Sequence, residues 1–267
     1  MKTNPCLLLI SAVLLFCSAL SGRATSVPAG INHEGYDRLL KKYVNDNGLV
    51  AYEKWQSSVQ DRKGLEDYLA QFAAGGSAAT GNDRYASLVN AYNAFVIEWI
   101  LQNYPTESIW ALKGSFKDKR HKLGGSIVSL NQIENDNLRP EFGYKTHAVL
   151  VCAARSCPPL QQSAYTAASL DDQVGRAHRA WLGRTDLNEF LPDKNQANVS
   201  MIFKWFKGDF EKAGGAKSVM AKYAPSSARP VLEKGDSKLT FKSYNWGLND
   251  QGPHGHNYKI NILDFLH

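Results

Sequence analysis

The chain has 267 residues, 43% hydrophobic and 21% charged, with a formal net charge of +6. That length and composition exclude a disordered or collagen-like chain and suffice for one or two packed domains. The charge is mild, and no dense Lys/Arg run carries interleaved aromatics, which argues against a nucleic-acid partner.

Met1 and Lys2 give a short positive start, Leu7–Leu20 is an apolar run, and Gly22-Arg23-Ala24 supplies small residues for a cleavage point. This is the pattern of a secretory signal peptide, removed after Ala24. The run is shorter than the ~20 apolar residues that span a bilayer, which disfavours a membrane anchor. Phe16 stands where a lipidated Cys17 would need a small residue. No later stretch is apolar enough to span a membrane, so the expected mature chain is residues 25–267, secreted or periplasmic. Its formal charge falls to +4 once Lys2 and Arg23 are lost. Cys6 and Cys17 leave with the signal. Cys152 and Cys157 remain, in a compartment that permits disulfides.

Tyr36, Leu39, Leu40 and Tyr43 recur at helical spacing and predict a helix over His33–Val44, broken by Asn45-Asp46-Asn47-Gly48. "LVAYEKW" follows as a short strand or extended piece, and Gly64–Phe72 as a second helix. Arg84–Tyr104 carries Tyr85, Leu88, Val89, Tyr92, Phe95, Val96, Trp99 and Ile100 on one broad face. Asn82 or Asp83 can cap its start, and Pro105 stops its end. Ala94, Ile97 and Leu101 make the other face apolar too, so this helix is expected to be central and buried. Ser129-Leu130-Asn131-Gln132 is a capping box that opens a short helix ending before Pro140. Thr146–Cys152 reads as a strand, and Leu170–Leu182 as a helix with Leu170, Val174, Ala177 and Trp181 inward. Ser200 caps "MIFKWFKGDF", whose Phe203, Trp205, Phe206 and Phe210 fall at core spacing. "KLTFKSYNW" alternates as a strand. No repeat or linker divides the chain. The expected fold is a single α+β domain, mostly helical, with a small sheet packed on a buried central helix.

Five stretches stand in order: "LVNAYNAFVI" (Leu88–Ile97), "SLNQIENDNLRP" (Ser129–Pro140), "HAVLVCAARSCPPL" (His147–Leu160), "FKWFKGDF" (Phe203–Phe210) and "YNWGLN" (Tyr244–Asn249). Together they resemble the domain-of-unknown-function family 547 of bacteria and plants, over roughly Ala70–Asn249. The resemblance implies a domain and transfers no activity.

Three chemistries compete for the cysteine stretch. A thiol enzyme needs a lowered cysteine pKa and a nearby base. On a strand, His147 and Cys152 point to opposite faces, five positions or about 16 Å apart. Cys157 follows a possible turn at Ala153–Ser156. It can fold back toward His147, Arg155 can favour its thiolate, and Pro158-Pro159 stiffens the chain beyond it. Cys157 is therefore the better nucleophile and is expected to be the more accessible sulfur. A Cys152–Cys157 disulfide is the rival, worth at most ~2–3 kcal/mol for so short a loop. A metal needs three or four convergent ligands. His121, His147, Cys152, Cys157, His254 and His256 show no such spacing, so neither metal nor cofactor is expected.

A buried helix beside a histidine-bearing sheet is similar to the papain-like and transglutaminase-like layout. Those enzymes place cysteine at the start of the central helix, whereas this helix carries Asn90 and Asn93 and no cysteine. These amides either hold loop backbone or, joined by Glu134, orient His147 or bind a substrate carbonyl. The preferred reading is an exported, non-catalytic binding or scaffold domain. The alternative is a thiol-dependent hydrolase or acyl-transfer enzyme using Cys157 and His147. No pattern names the partner, with a peptide or protein as the class considered.

Overall fold

The computed structural model describes residues 25–256 and Tyr258. The expected signal segment, residues 1–24, lies outside the described residues. Helix α1 (Glu34–Tyr43) buries Tyr36, Leu39, Leu40 and Tyr43, the four positions its spacing marks. The extended piece ends early. Val50 bridges Val44 and Asp250, and α2 (Tyr52–Ser57) then begins. Tyr52 and Trp55, three apart, are both buried, and the Trp55 ring stacks on Tyr43 at 4.6 Å. Helix α3 (Val59–Ala73) is capped by Ser58, whose side chain accepts from the Asp61 N–H.

Helix α4 (Gly81–Gln102) is the buried centre, apolar on nearly every face. It packs against α2, α3 and the segment Gln132–Leu138. Its N-cap is Thr80, so Asn82 and Asp83 lie inside the first turn, where the Asp83 charge suits the helix dipole. Strands β1 (His121–Leu123) and β2 (Ser126–Val128) form an antiparallel hairpin with His121 opposite Val128. Its two-residue turn, Gly124-Gly125, has positive φ at both positions, as a primed turn requires. The hairpin packs on α3 and meets α4 where the His121 ring lies 4.5 Å from Phe95.

The capping box forms. Ser129 N–H donates to Gln132 Oε1 at 3.1 Å, and Gln132 N–H to Ser129 Oγ at 3.2 Å. The helix it opens is a wide π-turn run (Gln132–Leu138) that continues as α5 (Arg139–Phe142), past Pro140. Pro140 sits at the junction, in the first turn of α5, where the hydrogen-bond pattern changes from the wide run to the α-helix.

The expected strand Thr146–Cys152 is absent. Gly143–Ala148 is a 3₁₀ helix, and Val149 keeps near-helical torsions. A short apolar run buried on all sides reads the same as strand or helix. The backbone partners here come from a side chain, Asn93, and not from a neighbouring strand.

Helix α6 (Leu170–Gly183) buries Leu170, Val174, Ala177 and Trp181 as expected. Strands β3 (Glu189–Leu191) and β4 (Gln196–Val199) pair antiparallel. "MIFKWFKGDF" splits at Phe206 into α7 (Ile202–Trp205) and α8 (Lys207–Glu211), and Ser200 Oγ accepts from the Ile202 N–H. Helices α9 (Ala216–Tyr223) and α10 (Arg229–Leu232) lead to β5, Lys238–Phe241, which joins β4 in parallel. One hydrophobic core runs from Val27 to Leu248. Among the described residues, no helix is long and apolar enough to cross a membrane.

Candidate functional site

The loop that carries the cysteines is held from three sides. From α4, Asn93 donates to Val149 O at 2.9 Å and accepts from the Val151 N–H at 2.9 Å. From the C-terminal segment, Gly247 O and Asn245 O accept from the Arg155 and Ser156 N–H groups, and Ala153 O accepts from the Asn249 N–H. From the α1–α2 turn, Gly48 lies directly against Pro159 and Leu160. Between these anchors Ala153 adopts φ 59°, a left-handed conformation that costs a non-glycine residue roughly 1–2 kcal/mol. A turn with Cys157 N–H donating to Ala154 O then reverses the chain.

The reversal brings the two sulfurs to 2.7 Å. A disulfide measures about 2.0 Å, and both cysteines are free thiols here. Cys157 Sγ accepts from the Cys152 N–H at 3.2 Å and from the Tyr244 hydroxyl at 3.3 Å. Burial pushes the Cys157 thiol up, but donation from Cys152 and Tyr244 outweighs it and the net direction is down. Cys152 is pushed up, first by its contact with Cys157 and then by burial. The pair thus favours thiolate at Cys157 and thiol at Cys152. The expected accessibility is reversed. Cys157 is buried and Cys152 is half-buried, although the Tyr244 hydroxyl reaches both sulfurs.

His147 is buried, and its Nε2 lies 2.9 Å from Asp209 Oδ2. The same oxygen accepts from Arg139 Nε at 2.7 Å. Burial lowers the His147 pKa to about 4, partly offset by Asp209. At neutral pH the ring is uncharged and donates Nε2–H to Asp209, and among the described residues its Nδ1 lone pair has no hydrogen-bond partner. For Asp209, burial works upward, but Arg139 and His147 together bring it below the ordinary carboxylate value. The His147 ring stacks on Phe206 at 4.1 Å, and the Arg139 guanidinium packs on Phe206 at 4.6 Å.

Both assemblies open on one cavity of about 280 Å³. Its lining includes Cys152, Cys157, His147, Glu134, Asn131 and Asn135, with aromatic walls from Tyr92, Trp110, Phe116, Trp205, Phe206, Tyr244 and Trp246. The 3₁₀ turn is why His147 and Cys152, expected on opposite faces, share it. Burial pushes Glu134 above the ordinary carboxylate range, against the pull of Arg139. A second hollow of about 470 Å³ lies between α3, α4 and β1 and holds Glu98 and His121, with no thiol or hydroxyl in its lining.

Several expected residues are placed elsewhere. Arg155 donates to Asp250 O and His254 O, so it ties down the C-terminal segment and leaves the thiolate alone. Asn90 and Asn93 are committed to backbone and stand apart from the cavity wall. Asn90 clamps both backbone groups of Tyr165, at 2.8 and 2.9 Å, and also meets His33. Of the four aromatics read as core, Phe203 and Phe210 are core, Phe206 is the platform under His147, and Trp205 is 45% exposed. His121, His254 and His256 are dispersed, and among the described residues no three metal-type ligands gather.

Asp209, Arg139, Tyr244, Trp110 and Trp246 were missed by sequence reasoning. Asp209 carried a signal as the lone acid in the aromatic stretch Phe203–Phe210, and Arg139, Tyr244 and Trp246 lie in two of the five motifs.

Residues 77–182 match the family described as "Protein of unknown function, DUF547". That segment holds the first three motifs, while "FKWFKGDF" and "YNWGLN" lie beyond it. No curated protein and no solved structure matches the chain.

Proposed function

We propose that this chain, a DUF547 domain-containing protein, is a thiol-dependent acyl-transfer or hydrolytic enzyme with Cys157 as nucleophile and His147 as base. One observation carries the reading: inside an aromatic cavity, Cys157 Sγ receives an N–H and an O–H donor that favour its thiolate. A buried structural cysteine has its thiol pushed up. The same cavity holds a neutral histidine oriented by a carboxylate, the base-and-orienter pairing that nucleophilic sites use.

The thiolate attacks the carbonyl carbon of an ester or amide and forms a C–S bond. The leaving group departs with a proton from solvent. Water then attacks the thioester, His147 Nδ1 accepts its proton, and the C–S bond breaks to return the thiolate and release the acid. Because Cys152 and Tyr244 supply the thiolate stabilisation, His147 acts mainly in this second half. The papain- and transglutaminase-like layout has support in the buried α4 beside the histidine segment. It differs in that the nucleophile rides on a loop clamped by Asn93. For location, we propose export to a secreted or periplasmic compartment, on the Leu7–Leu20 run and its small-residue end; the domain then spans residues 25–267. Intact Met1 on exported protein would count against this.

The test is an activated ester, p-nitrophenyl acetate, on the reduced protein. The expected result is a stoichiometric burst of p-nitrophenolate and an acetyl group on Cys157 by peptide mass spectrometry, accumulating in His147→Ala. An acetyl group on Cys152 alone, or on neither, refutes the proposal. A non-catalytic binding domain, which the cavity also suits, is then the reading that stands.

A further inference from the structure

We infer that the cavity beside Cys157 binds an organic cation, held between its aromatic wall and the Glu134 carboxylate. This rests on the thiol-enzyme reading and deepens it by naming the charge of the group the substrate presents. The wall is continuous although it comes from separate stretches of chain. The Trp205 ring lies 4.8 Å from Tyr244 and 5.7 Å from Trp246, and Tyr244 lies 4.4 Å from Trp246. Trp246 meets Trp110 edge-on at 5.2 Å. Trp205 is 45% exposed, so the wall reaches the solvent edge.

Glu134 borders the same cavity from the Gln132–Leu138 turns. Among the described residues its hydrogen-bond partner is the Tyr92 hydroxyl at 3.5 Å, the outer limit of such a bond. Arg139 is committed elsewhere, at 2.7 Å to both Asp209 and Asn135. Lys117 borders the cavity from an exposed position, where water screens its charge. Among the described residues Glu134 therefore has no ion-pair partner of its own, although the Arg139 charge acts on it; a bound cation would hold it ionised against the burial that favours its neutral acid. An alkylammonium supplies that charge together with C–H surface suited to aromatic faces, which attract cations electrostatically. A neutral ligand of the same shape gains burial alone. The occupant would lie beside the thiols, since Glu134, Cys152 and Cys157 line the same cavity.

The test uses tryptophan fluorescence of the reduced mature protein, titrated with choline and with its neutral isostere 3,3-dimethylbutan-1-ol. Choline should bind at least about tenfold more tightly. Glu134→Gln should bring choline to the alcohol's affinity and leave the alcohol unchanged. Should that variant fail to fold, Trp205→Ala, at a half-exposed position, should weaken choline several-fold. Equal affinities, tighter binding of the alcohol, or no saturable response to either overturns the inference. Choline binding without ester acylation sinks the thiol chemistry alone, and acylation without choline preference sinks the cation site alone.

Discussion

Replacing Asn93 by alanine tests how the fold holds its cysteine loop. The side chain is 3% exposed and makes two buried hydrogen bonds, to Val149 O and from the Val151 N–H. Each contributes about 1 kcal/mol, and each backbone partner left unpaired in the core costs a further 1–3 kcal/mol unless the loop moves to find water. The expected loss is about 2–4 kcal/mol, or roughly 4–16 °C in Tm for a chain of this size. Asn90→Ala should cost a similar amount, because Asn90 clamps Tyr165 in the same way. The two should separate at the thiol. Asn93→Ala frees the segment that leads into Cys152 and should slow acylation of Cys157, whereas Asn90→Ala should leave it near the wild-type rate. Urea unfolding with fixed m-value, alongside ester-burst rates, reads both effects. An Asn93→Ala variant within 0.5 kcal/mol of the wild type, or equal burst rates in both variants, would show that the clamp is not what positions the loop.

Gly48→Ala should destabilise by at least about 2 kcal/mol in the same assay. Gly48 sits at φ +73°, and a Cβ there meets Leu160 N and Pro159 Cα at 2.5 Å; an unchanged urea midpoint would show that the turn can shift. Burial lowers His121 and His178 to about 4 from 6.5. The unfolded chain thus binds protons that the folded one refuses, so this part of the stability is present above pH 6.5 and lost as pH falls toward 4. Each histidine supplies at most about 3 kcal/mol; His178→Phe should flatten the acid limb of a stability–pH curve, and an unchanged limb would exclude this origin. Oxidised glutathione should close the Cys152–Cys157 bridge. Cys157 displaces one glutathione, Cys152 displaces the second, and the protein loses two hydrogens with its acylation, both restored by reduction. A lasting glutathione adduct on Cys157 would show that the sulfurs do not meet.

Much of the helical frame was legible because its signals are local. Tyr36, Leu39, Leu40 and Tyr43 mark α1, the all-round apolar pattern marks α4 as buried, and Ser129 with Gln132 forms the capping box that the spacing announces. The Thr146–Cys152 segment was misread because a short run of Ala, Val and Leu has no period once it is buried on every side. The site itself is nonlocal. Cys152 and Cys157 stood out by type, but Tyr244 reaches Cys157 only because the C-terminal segment pairs with residues 153–156. Asp209 reaches His147 only because the chain breaks at Phe206. Arg155 shows the converse: closeness in sequence to Cys157 suggested an ion pair, and its guanidinium turns to Asp250 O.

The central claim is that Cys157 is a thiolate-biased nucleophile whose pKa is set by Cys152 and Tyr244. The rate of iodoacetamide alkylation at each cysteine, followed from pH 5 to 10 by peptide mass spectrometry on the reduced protein, tests it most directly. Cys157 should react first although it is the more buried sulfur, with an apparent pKa below the ordinary thiol value. Tyr244→Phe should move that pKa upward, and His147→Ala should leave it in place. Equal, slow rates at both cysteines, or a Cys157 titrating at or above the ordinary value, would contradict the account.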